Sequence, residues 1–139
     1  MSSEIFVSHA ARPLLARVDT VVFDIDGVLV DVSASYPSVI AEATRFYLVE
    51  IAGLTGSDPI TPDETKLFKR AGGFNDDWSI AKAAVRLCLM KSARSGQRDV
   101  AVLRSESPTL EELTSAIAAG GGGYEVAREL TPCDIDEKL

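Results

Sequence analysis

The sequence predicts a mainly α protein with a small β element. About four helices and a last short helical piece, between Ser35 and Leu130, carry helical spacing together with start and stop signals. Only Thr20–Phe23 has the β-branched and aromatic make-up of a strand buried on both faces. Apolar residues reach 46% while aromatics are 6%, which suits close packing of Ala- and Leu-rich helices.

Residues Met1–Arg17 stay open: Ile5–Val7 fits a short strand, and Ala10–Arg17 fits a helical turn interrupted near Pro13. Thr20–Phe23 is the expected strand, ended by Asp24-Ile25-Asp26-Gly27. Val28–Val30 is a second apolar stretch, closed by Asp31. The first long helix is expected after Ser35, with Pro37 in its first turn, where a missing N–H costs nothing. Gly53 and Gly56 punctuate its end. Thr61-Pro62-Asp63-Glu64 has the form of a capping box, starting a helix that runs to about Arg70 and stops at Gly72-Gly73.

Asp76 or Asp77 caps the next helix, expected from Trp78 to about Ala93. It is apolar around most of its circumference, with Lys82 and Arg86 as its wet strip. Val100–Leu103 fits either a strand or an extended loop. Ser107-Pro108-Thr109 opens a further helix that ends at Gly120–Gly123, and Tyr124–Leu130 is the last helical piece. The acidic tail Asp134–Leu139 follows.

The net charge of −7 and a pI near 4.7 argue against nucleic acid and anionic membrane as main partners. A phosphorylated substrate remains compatible, provided a metal ion and backbone N–H groups supply local positive charge. Cys88 and Cys133 make no disulfide framework and lack metal-ligand spacing. No signal peptide and no apolar run of about 20 residues is visible, so a cytoplasmic protein is expected.

The chemistry is concentrated in Val21–Asp31, VVFDIDGVLVD. Residues two apart on extended chain point the same way, so Asp24 and Asp26 can address one site. Two carboxylates that close repel unless a cation lies between them. Magnesium, with its oxygen ligands and retained waters, suits that role. Gly27 allows the backbone to turn close to a ligand. A calcium loop of the EF-hand type is excluded, because Val28, Leu29 and Val30 fall where oxygen ligands are needed.

Thr20 and three apolar residues, then D-x-D-G-V-L-V-D, then a helix with an early Pro: this string resembles the first motif of the haloacid dehalogenase (HAD) superfamily. The string KRAGGFNDDW, Lys69–Trp78, resembles the cap of a poorly characterised group in its subfamily IA. The resemblance implies a helical HAD cap plus the first strand of a truncated, Rossmann-like α/β core. The divisions are then 1–34 for the strand and motif, 35–131 for the cap and 132–139 for the tail. It implies Asp24 as nucleophile and Asp26 as general acid and base. Magnesium would be held by the Asp24 carboxylate and the Asp26 main-chain carbonyl, with Gly27, Asn75 and Asp76 toward substrate. An acid at position 26 favours phosphatase or phosphomutase chemistry over dehalogenation, because a halide leaving group needs no proton. Gly72-Gly73 would give the cap loop a flexible approach.

The resemblance covers only the first part of a family member. The later Thr or Ser, the Lys and the second acidic group are missing, and Ser105 and Asp134-Ile135-Asp136 imitate them only faintly. The chain is therefore expected to be either a fragment of a longer enzyme or a short relative. Two functions follow: a magnesium-dependent phosphohydrolase for a small phosphorylated metabolite, or a non-catalytic helical module for partner binding or self-association. Thr20–Phe23 is expected to pair either with Ile5–Val7 or with a second copy of the chain, the latter giving a homodimer through the exposed strand. His9 is read as a surface residue, Trp78 as packed at a helix start, and Lys66, Lys69 and Arg70 as a mostly solvated basic helix end.

Overall fold

A computed structural model describes residues 6–32 and 35–133. The chain divides into two compact units, Met1–Val32 and Ser33–Leu139. The expectations for Ile5 and for Asp134–Leu139 lie outside the described residues.

In the first unit, α1 (Arg12–Leu15) is a single turn with Pro13 near its start and no buried residue. Thr20–Phe23 forms no strand, and Phe6 and Val7 form none beside it. This corrects the expected buried strand. Val22 is 89% exposed, and Val21 and Phe23 are exposed as well. The reason is physical: a strand exists only through a neighbour's N–H and C=O groups. Among the described residues, β structure amounts to two isolated bridges, Asp26 with Val30 and Thr55 with Asp99.

The second unit is helical. It contains α2 (Tyr36–Phe46) and a π-helical segment (Tyr47–Ile51), then α3 (Thr65–Ala71), α4 (Asp77–Ser95), α5 (Val100–Ser105), α6 (Leu110–Ala119) and α7 (Gly123–Leu130). The local signals explain most of the boundaries. Thr61 and Glu64 exchange the expected capping-box bonds, Thr61 N–H to Glu64 Oε2 at 2.7 Å and Glu64 N–H to Thr61 Oγ1 at 3.4 Å. The regular helix begins one turn later, at Thr65. Asp76 caps α4, and Gly96 ends it in the left-handed conformation. Thr109 and Glu112 form a second capping box at α6.

Val100–Leu103 is helix, not strand or loop. Asp99 accepts from the Ala101 N–H at 2.8 Å, and Val100 and Leu103, three apart on one face, are both buried.

α4 is the central element, packing on α2, α5, α7 and the π-helical segment. Its Ile80, Ala83, Ala84, Leu87 and Met90 enter a core shared with Ile40, Phe68, Phe74, Leu113, Ile117 and Ala127. Its Val85 and Cys88 enter a second core with Leu48, Leu54, Val100 and Leu103. The alanines let neighbouring helices approach closely. Phe68 and Phe74 meet edge to face, with centroids 5.2 Å apart, a pairing worth about 0.5–1.5 kcal/mol beyond burial. Among the described residues no helix is long and apolar enough to cross a membrane.

Candidate functional site

The Asp24–Val30 segment is a tight turn made by its own backbone. The Ile25 N–H donates to Asp24 Oδ1 at 2.8 Å. The Leu29 and Val30 N–H groups both reach the Ile25 carbonyl at 2.9 Å, and the Gly27 N–H reaches the Val30 carbonyl at 2.8 Å. Closing this ring needs a residue in the left-handed region. Gly27 supplies it with φ +77°, and a Cβ there would meet nothing within 4 Å. The glycine is thus required by backbone torsion rather than by crowding. Asp24, Asp26 and Gly27 are all exposed, so the turn presents both carboxylates on a solvent-facing segment.

Oxygen donors from Asp24 and Asp26 have the chemistry that magnesium takes, with water completing the shell. They fit the ion as a partial ligand set. Among the described residues no group of three or more His, Cys, Asp or Glu is placed to hold a metal.

Asn75 and Asp76 belong to the helical unit. The Asp76 carboxylate is occupied locally: Oδ1 accepts from the Ser79 N–H and Oδ2 from the Ser79 hydroxyl, each at 2.8 Å. These bonds, the side-chain one first, hold its carboxyl below the ordinary aspartate range. Asn75 is exposed between buried Phe74 and Asp76. Asp77 pairs with Lys69 at 3.3 Å. Gly72-Gly73 does not form a loose approach. It lies against Gly122-Gly123, with the Gly123 N–H donating to the Gly72 carbonyl at 2.8 Å.

Two concave places in the helical unit escaped the sequence reading. One is an apolar groove of about 210 Å³ between α2 and α4, lined by Phe46, Tyr47, Trp78 and Val85 among others. Trp78 is 72% exposed there, which corrects the expectation that it packs at the helix start. The π-helical widening at Tyr47 begins beside this groove, and sequence periodicity gives no signal for it. The other is a polar cleft around Lys91. Lys91, which carries no sequence signal in a mostly apolar helix, is 4% exposed.

No family model, curated protein or solved structure matches this chain.

Proposed function

We propose that Val21–Asp31 is the nucleophile segment of a magnesium-dependent, HAD-like phosphohydrolase for a small phosphorylated metabolite. On this reading the motif segment belongs to the first part of a Rossmann-like core, and the helical unit is the cap. The observation that carries it is the pair of exposed carboxylates, Asp24 and Asp26, two residues apart and entering a turn whose left-handed position is Gly27.

The chemistry divides between the two acids. An Asp24 carboxylate oxygen attacks phosphorus, and the bond from phosphorus to the leaving oxygen breaks, giving an aspartyl-phosphate. Asp26 donates a proton to the departing alkoxide. Asp26, now a carboxylate, takes a proton from water as that water attacks phosphorus, and the Asp24 carboxylate is released with inorganic phosphate. Magnesium, held by the Asp24 carboxylate and the Asp26 carbonyl, would offset the negative charge of the phosphoryl group.

A second reading has its own support. The buried residues of the helical unit run from Ile40 to Thr131, so its core closes without any residue of the motif segment. That favours a non-catalytic helical module derived from such a cap.

One experiment separates the two. Protein from the complete reading frame is incubated with an aryl phosphate, with and without magnesium. Turnover that needs magnesium and disappears in Asp24→Asn supports the enzyme, because an amide cannot form the acyl-phosphate. Undiminished turnover in Asp24→Asn sinks that assignment, and absence of turnover in the unaltered protein favours the module.

A further inference from the structure

A cleft of about 170 Å³ lies where α4, α5 and the start of α6 converge, lined by Glu64, Cys88, Lys91, Arg104, Thr109 and Glu111 among others. Its unusual member is Lys91. An ammonium carries three N–H donors. Two are used: Nζ donates to the Leu103 carbonyl at 2.8 Å and to the Glu106 carbonyl at 2.7 Å. Among the described residues no third acceptor is found and no carboxylate oxygen lies within 4.0 Å of Nζ.

The other charges nearby are already committed. Arg104 pairs with Glu64 at 2.8 Å and also donates to the Asp58 carbonyl. The Glu112 carboxylate accepts from the Ser107 hydroxyl at 2.8 Å and the Thr109 N–H at 2.7 Å. Glu112 and Glu106 act on Lys91 only from a distance, and the Cys88 thiol is held neutral by burial. Glu111 is exposed, where water screens it. Among the described residues Lys91 is therefore a buried cation held by two carbonyls with no carboxylate in contact, an arrangement that is costly unless something supplies a counter-charge. Burial pulls its ammonium below the ordinary lysine range, against smaller opposing effects from Cys88, Glu106 and Glu112.

Further donors line the same cleft. Thr109, Leu110 and Glu111 open α6 there. The Leu110 and Glu111 N–H groups belong to the first turn, which has no acceptors inside its own helix. Thr109 Oγ1 accepts from the Glu112 N–H at 3.2 Å, which leaves its hydroxyl proton for a ligand. A helix N-terminus favours negative charge. Together with a buried ammonium it makes an anion site.

We propose that this cleft binds a small oxyanion, a phosphate or a small carboxylate, anchored by the Lys91 ammonium and received by the first turn of α6. The site lies wholly within the helical unit and does not depend on the reading of Asp24 and Asp26.

The test is thermal unfolding of the whole chain in EDTA, titrated with sodium phosphate or sodium acetate against sodium chloride at matched ionic strength. A saturable rise in Tm with phosphate or acetate but not with chloride is expected, since a ligand bound to the folded state stabilises it by mass action. The anion with the lower half-saturation concentration identifies the class. Lys91→Met should abolish the rise, and Asp24→Asn should leave it intact. NMR titration of the unaltered chain should shift the Leu110 and Glu111 amide resonances, which keeps the test decisive even if Lys91→Met folds poorly. An equal rise with chloride, a rise that survives in Lys91→Met, or amide shifts confined to the Asp24–Val30 turn would each overturn the proposal.

Discussion

Gly123 donates its N–H to the Gly72 carbonyl at 2.8 Å, and the two glycine pairs meet with no side chain between them. A Cβ on Gly73 would lie 2.6 Å from the Gly123 nitrogen, and one on Gly122 would lie 2.7 Å from the Gly72 oxygen. The end of α3 and the start of α7 are thereby joined backbone to backbone.

Gly73→Ala meets both a left-handed torsion and a backbone clash, because φ is +74° and the atoms it strikes belong to main chain. It should cost about 2 kcal/mol or more in urea denaturation. Gly96→Ala meets only the torsion, having φ +72° and open space around it, and should cost about 1 kcal/mol. Equal costs for the two variants would show that the close approach contributes nothing.

That contact was not legible in the sequence, and the reason extends to other elements. Helix starts are local chemistry, so the Thr61–Glu64 box and a cap at Asp76 or Asp77 are legible from their spacing, whereas the Thr109–Glu112 box behind the Ser107-Pro108-Thr109 start is seen only in the structure. Val100–Leu103 is too short for its period to separate helix from strand, and the Asp99 cap with its burial against α4 decides it. Thr20–Phe23 was read as buried from its composition, but burial needs a neighbour that composition cannot supply. At the motif, the need for Gly27 was visible. The consumption of the Leu29 and Val30 amides by the Ile25 carbonyl was not. Lys91 carries no sequence signal, because its place depends on where Leu103 and Glu106 end α5.

The two cysteines should differ sharply. Cys88 is buried, and desolvation pushes its thiol up to about 11, against smaller opposing effects from Lys91 and Arg104. Cys133 is half-buried. An aromatic disulfide reagent should therefore label Cys133 in the folded protein and Cys88 only as the protein unfolds. The unfolded thiol ionises from about 9.0 and the folded one only at about 11. The unfolded state thus gains by releasing a proton between those values, and stability should fall as pH rises through that window. Lys91, with its ammonium lowered by burial, works in the opposite direction, so the comparison is made between the unaltered protein and Cys88→Ala. The variant should lack the alkaline loss assigned to the thiol, and identical pH profiles would remove the assignment.

If Asp26 is the proton donor, Asp26→Asn should keep the nucleophile and slow turnover by about 10²–10⁴-fold. Asp24→Asn should leave none. The ratio between the two variants is the informative quantity, since a merely structural role for the turn would depress both alike. Magnesium affinity of this chain by itself should be weak, because its oxygen donors come from one short segment. Calorimetric titration that finds a tight one-to-one site would show that further ligands exist beyond Asp24 and Asp26.

The last prediction concerns the apolar run around the motif. Val21, Val22, Phe23, Ile25, Val28, Leu29 and Val30 are all exposed, and no strand pairs with them among the described residues. Within it, Val21–Phe23 has no strand partner among the described residues, and such an apolar extended segment is a template for another copy of itself. The chain should therefore associate with increasing concentration, as seen by light scattering or sedimentation. Val22 is the most exposed residue of the run at 89%, so Val22→Lys adds a charge without disturbing a core. It should shift the population toward monomer and leave the far-ultraviolet helical signal unchanged. Association that is insensitive to Val22→Lys would place the contact elsewhere, and the apolar groove beside Trp78 would be the next surface to alter.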